Sequence, residues 1–222
     1  MGTLFITQAA ENPFFFCSVI VTVVISIVLH ELAHGWMALR LGDPTPRAMG
    51  RMTGNPLVHM GPWSLLALFI AGIAWGQMPI DPGRLKGKFA EAWVALAGPA
   101  TNLLLAIVGV IGLTVCLRLG FGPSDPDWRG NLVNFLFVFG LYNLLLMLFN
   151  LMPVPPLDGS HVMANFSDGY ARAVSDPAKQ GVWMLAFIGV FVLSSRVLVP
   201  AASNLHGLGM AGLDRLLTLA GV

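Results

Sequence analysis

A long apolar run near the N-terminus constrains the fold of this chain more than any other feature. Residues 13–41 are almost entirely apolar, and the charged or imidazole side chains among them are His30, Glu31, His34 and Arg40. A helix needs about 20 apolar residues to cross a bilayer, so this run is long enough with a turn or two to spare. Ionisable groups are costly at membrane depth and usually mark a functional site. We therefore expect a membrane-spanning helix that carries functional groups.

The composition agrees with a membrane protein. Apolar residues make up 56% of the 222 and charged ones only 10%, whereas soluble domains are about 25% charged. The net charge of +1 says nothing about nucleic acid, but no basic stretch resembles a phosphate-binding patch, so no nucleic-acid partner is expected. We therefore expect the chain to lie in a lipid bilayer.

Further apolar stretches predict the rest of the fold. We expect an all-α polytopic membrane protein, a helical bundle of about 4–6 membrane segments. Proline and glycine between residues 45 and 62 predict a surface loop with short β-strands. The expected segments are spans at about 90–119, 131–151 and 180–202, a short hairpin or protein-shielded helix at 63–75, a helix at 160–173, and a tail from 204 that lies flat on the membrane.

The ionisable residues of the first run form the pattern His-Glu-x-x-His. On a helix, His30 and His34 are four residues apart and share one face. Such a pair can hold one Zn²⁺ per chain, with Glu31 beside it to activate a water. The sequence therefore predicts a hydrolytic zinc site within the membrane.

A catalytic zinc needs a third protein ligand, and Asp158 is the strongest candidate. It follows a turn broken by three prolines at the end of a predicted span, on the side of the membrane where His34 is expected. A carboxylate there would be costly without a partner. The alternative is that Asp158 only caps the helix that follows it.

Four landmarks in order resemble the site-2 protease family, the intramembrane zinc metalloproteases that cut membrane-spanning substrates. The resemblance covers most of the chain, from the first helix to about His161. The landmarks are residues 30–35 (His-Glu-Leu-Ala-His-Gly), 50–59 (Gly-Arg-Met-Thr-Gly-Asn-Pro-Leu-Val-His), 97–102 (Ala-Gly-Pro-Ala-Thr-Asn) and 149–159 (Phe-Asn-Leu-Met-Pro-Val-Pro-Pro-Leu-Asp-Gly).

The resemblance implies roles for particular residues. It implies that His30, His34 and Asp158 bind zinc, that Glu31 is the general base, and that Asn150 faces the active site. Asn150 would donate to the developing oxyanion; its alternative role is a hydrogen bond between helices.

The resemblance also concerns two residues near the site and the bounds of the domain. Gly98 and Asn102 are expected to serve helix packing near it. The implied form is a single membrane-embedded domain over residues 1–222, with its catalytic core at about 13–161 and without a PDZ or CBS extension.

Two stretches that are expected to be extended, residues 53–56 and 78–81, suggest how a substrate could bind. A protease must bind its substrate unwound, and an extended edge beside the zinc could pair with it by β-augmentation. The candidate residues are Thr53, Gly54, Asn55, Met78, Pro79 and Ile80. His59 is expected to be a loop or surface histidine.

Basic residues predict the orientation. Most Lys and Arg residues between the spans fall on one side, which should be cytoplasmic. The chain is then a multi-pass protein of the cell inner or plasma membrane, with its active site toward the cytoplasm. The resemblance to site-2 proteases further implies single-span membrane proteins as substrates and an upstream site-1 protease as a candidate partner.

Two other functions use the same residues. A membrane transporter or metal-dependent sensor would bind metal without needing Glu31 as a base. An inactive relative would bind transmembrane helices as an adaptor. Replacement of Glu31 distinguishes these functions from proteolysis.

Overall fold

The computed structural model describes residues 4–124 and 127–219, and this part of the chain is built from helices. Helices of at least eight residues in these ranges are α1 (Pro13–Arg40), α2 (Gly61–Ala71), α3 (Ala90–Arg118), α4 (Trp128–Asn150), α5 (Asp158–Phe166), α6 (Asp168–Ser175) and α7 (Gln180–Leu219). Shorter helical turns are Phe5–Thr7, Gln8–Glu11, Thr45–Ala48, Pro56–His59, Pro82–Arg84 and Pro177–Lys179. Helices α1, α3, α4 and α7 are long and apolar enough to cross a membrane, which confirms the all-α polytopic expectation.

Local sequence signals fix where the helices begin and end. Asn12 accepts a hydrogen bond from the Phe15 amide at 3.0 Å and so caps α1, with Pro13 at its first position. Beyond the end of α1, Gly42 takes a φ of +100°, which favours glycine. Asp127 caps α4 by accepting from the Arg129 amide at 2.9 Å.

Helices α1, α3 and α4 pack together and form the centre of the bundle. Close approach of α3 to α4 depends on glycine, because a Cβ on Gly109 would lie 2.8 Å from the Cα of Gly140. Helix α7 is buried mainly near its middle, at Leu198, Ala202 and His206. The half of α7 before Leu198 contacts α4 through Phe149, whose ring is 6.2 Å from that of Phe187.

Helix α2 and the chain after it form a hairpin. Helix α2 ends at Gly72, which has a φ of +70°. The returning chain is held by Ser64, whose hydroxyl donates to the Trp75 carbonyl at 2.7 Å and accepts from the Trp75 amide at 2.8 Å. Residues 73–81 therefore return along the bundle without regular structure.

The short β-strands expected between residues 45 and 62 are absent from the described residues. Pro46 and Pro56 instead lie in the first turns of the helices Thr45–Ala48 and Pro56–His59, where their fixed φ suits a helix start. The single backbone hydrogen bond from the Gln77 amide to the His59 carbonyl, 3.1 Å long, does not make a ladder.

Two helix boundaries also differ from the prediction. The helix expected over 160–173 is divided into α5 and α6 at Ser167, whose hydroxyl caps α6 by accepting from the Tyr170 amide at 3.3 Å. The tail from Asn204 continues α7 rather than forming a separate surface segment. The ion pair between Arg118 and Asp214, 2.8 Å long, ties this tail to the end of α3.

Candidate metal centre

Two helices bring three metal-binding side chains together. His30 and His34 lie one turn apart on α1, and their Nε2 atoms are 2.9 Å from each other. Asp158, at the start of α5, places Oδ2 3.1 Å from His30 Nε2 and Oδ1 3.3 Å from His34 Nε2. Both histidines are buried, and the Asp158 side chain is 17% exposed. The structure thus joins the three residues that the sequence singled out as metal ligands.

The other nitrogen of each imidazole is already used. His34 Nδ1 is 2.7 Å from the Val94 carbonyl oxygen, and His30 Nδ1 is 2.6 Å from Asn102 Oδ1. The Val94 carbonyl can only accept, so Nδ1 of His34 carries a proton, and the neutral imidazole then keeps its lone pair on Nε2. Asn102 therefore does more than pack helices together, since it contacts a histidine of the centre.

The donor set fits a zinc ion. Two imidazole lone pairs and a carboxylate face one another, and the buried Asp158 Oδ2 has no hydrogen-bond donor. A cation between these lone pairs would satisfy all three groups at once. The separations of 2.9, 3.1 and 3.3 Å approach the roughly 3.3 Å edge of a tetrahedron with bonds of about 2.0–2.1 Å. Gly98 lies against this space, because a Cβ there would collide with Nε2 of both histidines.

Glu31 is buried beside the histidines and lines the same cavity. The backbone of Gly76 packs directly against its carboxylate: a Cβ on Gly76 would lie 2.5 Å from Glu31 Oε1 and 2.7 Å from Ile27 Cγ2. The sequence did not indicate Gly76, because its role depends on how the α2 hairpin returns past α1.

Asn150 ends α4 and lines the cavity as well. Its Nδ2 donates to the Leu146 carbonyl of the same helix at 3.0 Å. This bond lies within α4, and Nδ2 retains a second hydrogen. Asn150 can therefore donate this second hydrogen to a molecule in the cavity.

Comparison with known proteins places the chain in a family. The sequence model described as "Peptidase family M50" matches residues 18–194. The chain belongs to peptidase family M50. This is the site-2 protease family, so the resemblance of the four landmarks is confirmed.

Named relatives of this M50 peptidase agree with the family. The Bacillus subtilis protein named "Putative zinc metalloprotease YwhC" is 34% identical over 205 residues, which are 90% of this chain and 89% of that protein. A Mycolicibacterium smegmatis protein named "Putative zinc metalloprotease Rip2" is 31% identical over 78% of this chain and 66% of its own length. No solved structure matches. The M50 peptidase is thus a multi-pass membrane zinc metalloprotease.

A largely apolar cavity of about 880 Å³ opens beside the centre of the M50 peptidase. It is lined on one side by the returning chain after α2, including Met78 and Ile80, and on another by Phe149, Phe187 and Phe191. Pro79, which lies between Met78 and Ile80 in the chain, is not among the residues that line the cavity. The sequence gave no reason to single out Phe187 or Phe191, because an apolar span has many equivalent phenylalanines.

Thr53, Gly54 and Asn55 are not among the residues that line this cavity. Asn55 caps the helix Pro56–His59, and the Thr53 carbonyl is 2.7 Å from His59 Nε2. His59 was expected to be a loop or surface histidine; it lies in the segment between α1 and α2 but is only 1% exposed, so the surface position is wrong. Its ring is buried because it closes the loop on the Thr53 carbonyl.

Asp43 anchors the far end of the returning chain. Its carboxylate is fully buried and accepts from the Thr45 hydroxyl at 2.5 Å, the Thr45 amide at 3.0 Å and the Asp81 amide at 2.8 Å. Burial opposes ionisation of Asp43, but these hydrogen bonds outweigh it and hold the pKa of the carboxyl below its usual range. The segment 77–81 is therefore fixed at both ends, at Gln77 by His59 and at Asp81 by Asp43.

Proposed function

We propose that this M50 peptidase hydrolyses peptide bonds within the transmembrane segments of membrane proteins, in regulated intramembrane proteolysis. The observation that carries the proposal is a buried His-His-Asp group, beside a buried glutamate, that opens into an apolar cavity within a bundle of membrane-spanning helices. Water and an apolar peptide must meet at such a place for the reaction to occur.

In this proposal His30, His34 and Asp158 hold one zinc ion. When bound, zinc supplies Lewis-acid polarisation of the scissile carbonyl and lowers the pKa of water. The hydrogen bonds on Nδ1 of the two histidines keep both Nε2 lone pairs directed to the metal. This assigns the two histidines of the His-Glu-x-x-His sequence to binding, and the glutamate between them to chemistry.

Glu31 acts as the general base. Its carboxylate accepts a proton from the attacking water and then delivers it to the nitrogen of the leaving amine. Contact with Gly76 limits how far the side chain can turn. Asn150 donates its free Nδ2 hydrogen to the oxyanion that develops at the scissile carbonyl.

The segment 77–81 binds the substrate as an added strand. In an extended chain, backbone groups alternate between two edges. The amides of Gln77 and Asp81 bond to the protein, so those of Met78 and Ile80 point to the opposite edge. Pro79, which has no amide hydrogen, falls on the protein side. Met78 and Ile80 line the cavity, and we assign substrate pairing to them.

Proline at position 80 tests this assignment. Ile80→Pro deletes one amide donor, and a net hydrogen bond of about 0.5–1.5 kcal/mol corresponds to about a 2- to 10-fold loss of cleavage. Ile80→Val keeps the amide and serves as the control. Unchanged cleavage by Ile80→Pro, with zinc retained in both variants, would count against strand pairing.

The direct test of the proposed function compares the wild type with Glu31→Gln. Both are purified, bound zinc is measured, and cleavage of a single-span membrane substrate is followed. We expect cleavage to fall by at least about 100-fold, the range for loss of a general base, at unchanged zinc. Equal cleavage by the two proteins would exclude Glu31 as the base. Zinc binding without cleavage in the wild type would favour the transporter, sensor or adaptor functions.

A further inference from the structure

A row of buried hydrogen bonds starts at His30 and continues through two asparagine amides. It joins helices α1, α3 and α4. His30 Nδ1 on α1 is 2.6 Å from Asn102 Oδ1 on α3, and Asn102 Nδ2 donates to Asn143 Oδ1 on α4 at 3.0 Å. Asn143 Nδ2 then donates to the Phe139 carbonyl at 2.9 Å. Asn102 is 1% exposed and Asn143 is fully buried, so water does not compete for these hydrogen bonds.

The carbonyl at the end of this row fixes the orientation of both amide groups. The Phe139 carbonyl can only accept, so Asn143 must turn its NH₂ group toward it and its oxygen toward Asn102. Asn102 must then present NH₂ to Asn143 and its own oxygen to His30. An oxygen facing His30 Nδ1 requires the proton on that nitrogen. The lone pair of His30 is thereby left on Nε2, which faces Asp158.

We propose that Asn143 is a positioning residue of the zinc site, which fixes the amide of Asn102 and through it the ring nitrogen that His30 offers to the metal. The inference rests on the proposed role of His30 as a ligand. His34 needs no such device, because its Nδ1 contacts a backbone carbonyl directly. In His30 the contact is with a side-chain amide, which has a donor and an acceptor end and can present either one.

Removal of Asn143 should therefore harm zinc binding rather than only packing. In Asn143→Leu, Asn102 Nδ2 loses its acceptor and the amide is free to turn its NH₂ toward His30, which favours the wrong tautomer. Loss of such an outer partner lowers metal affinity about 10- to 100-fold. A purely structural role would instead lower stability and leave the zinc affinity of the folded protein unchanged.

A second change separates the two roles. Aspartate at position 102 has two acceptor oxygens and no amide donor, so it presents an acceptor to His30 whichever way it turns. Asn102→Asp combined with Asn143→Leu should therefore recover most of the zinc affinity that Asn143→Leu loses. This recovery is a coupling between two neighbouring sites, of the kind that a double-mutant cycle measures.

The experiment measures zinc affinity by competition with a chelator in purified wild type, Asn143→Leu, Asn102→Asp and the double variant, with helix content as a check on folding. Thr114→Val is the control, because this buried hydroxyl bonds within its own helix, 2.9 Å from the Val110 carbonyl. If leucine prevents folding, Asn143→Ala removes the same acceptor.

We expect zinc affinity about 10- to 100-fold weaker in Asn143→Leu, recovery in the double variant, and no change in Thr114→Val. Wild-type affinity in folded Asn143→Leu, or a double variant no better than Asn143→Leu, would overturn the inference while leaving the zinc site intact. Absence of zinc binding in the wild type would overturn the proposed function and this inference with it.

Discussion

Each histidine of the centre is held on its Nδ1 side by a hydrogen bond that the sequence did not indicate. The spacing of His30 and His34 predicted their common face, because a helical period follows from the sequence alone. Asp158 was predicted from the cost of burying a carboxylate. Val94, Asn143 and Gly76 were not predicted, because their roles depend on which part of another helix or hairpin comes to lie beside α1.

Gly76→Ala tests the contact that limits Glu31. The new methyl would lie 2.5 Å from Glu31 Oε1, so the carboxylate must move away from its position for proton transfer. We expect cleavage to fall by about 100-fold or more, as for a displaced general base, while zinc content stays the same. The measurement is cleavage of a model substrate together with bound zinc.

Gly212→Ala is the matched control for this prediction. A Cβ on Gly212 meets no atom within 4 Å, so cleavage should stay at the wild-type rate. Full activity in Gly76→Ala would show that the Glu31 side chain can adjust. It would exclude a role for Gly76 in positioning that side chain.

At the scale of elements, the long helices could be predicted from apolar runs of the required length. The conformation of the loop after α1 could not be predicted in this way. The prolines in that loop are equally compatible with a turn, a strand edge or the start of a helix. The choice of helical turns depends on partners elsewhere, such as the Thr53 carbonyl for His59. Likewise the part of α7 past Ala202 pairs with the end of α3 through Asp214 and Arg118, a contact between residues far apart in the sequence.

Asp43 should stabilise the segment 77–81 through its ionised carboxylate. Its pKa is lowered in the folded protein from an unfolded value of about 3.9. The stabilisation is therefore complete above about pH 4 and is lost as the pH falls through the folded pKa. We expect Asp43→Asn to melt below the wild type at pH 6, and the gap between the two melting temperatures to narrow below about pH 4.

The control for this prediction is Asp168→Asn, a change at an exposed aspartate on α6. Melting curves of all three proteins in detergent between pH 3 and 7 provide the comparison. A gap between wild type and Asp43→Asn that widens toward low pH would contradict the sign of the pKa shift.

At the scale of the whole molecule, the four candidate spans and the returning hairpin among the described residues place the segments at residues 41–60, 82–89 and 151–179 on one side. Their lysines and arginines outnumber those of the loop between α3 and α4, so we propose that this side is cytoplasmic. The metal centre lies toward the same side, because His34 is near the end of α1 and Asp158 follows α4.

Labelling from outside the cell tests this orientation. In a protein without its two native cysteines, Lys88→Cys should react with a membrane-impermeant thiol reagent only after the membrane is opened. Ser124→Cys, in the loop between α3 and α4, should react in intact cells. The reverse pattern would show the opposite orientation and would place the centre toward the outer face.

The most direct test of intramembrane proteolysis is to find the bond that is cut. The purified protein and a single-span substrate are placed together in lipid vesicles, and the product masses are measured, with Glu31→Gln as the blank. We predict that the new termini lie within the apolar span of the substrate and are absent with Glu31→Gln. Termini outside the span, in segments exposed to water, would contradict the central claim.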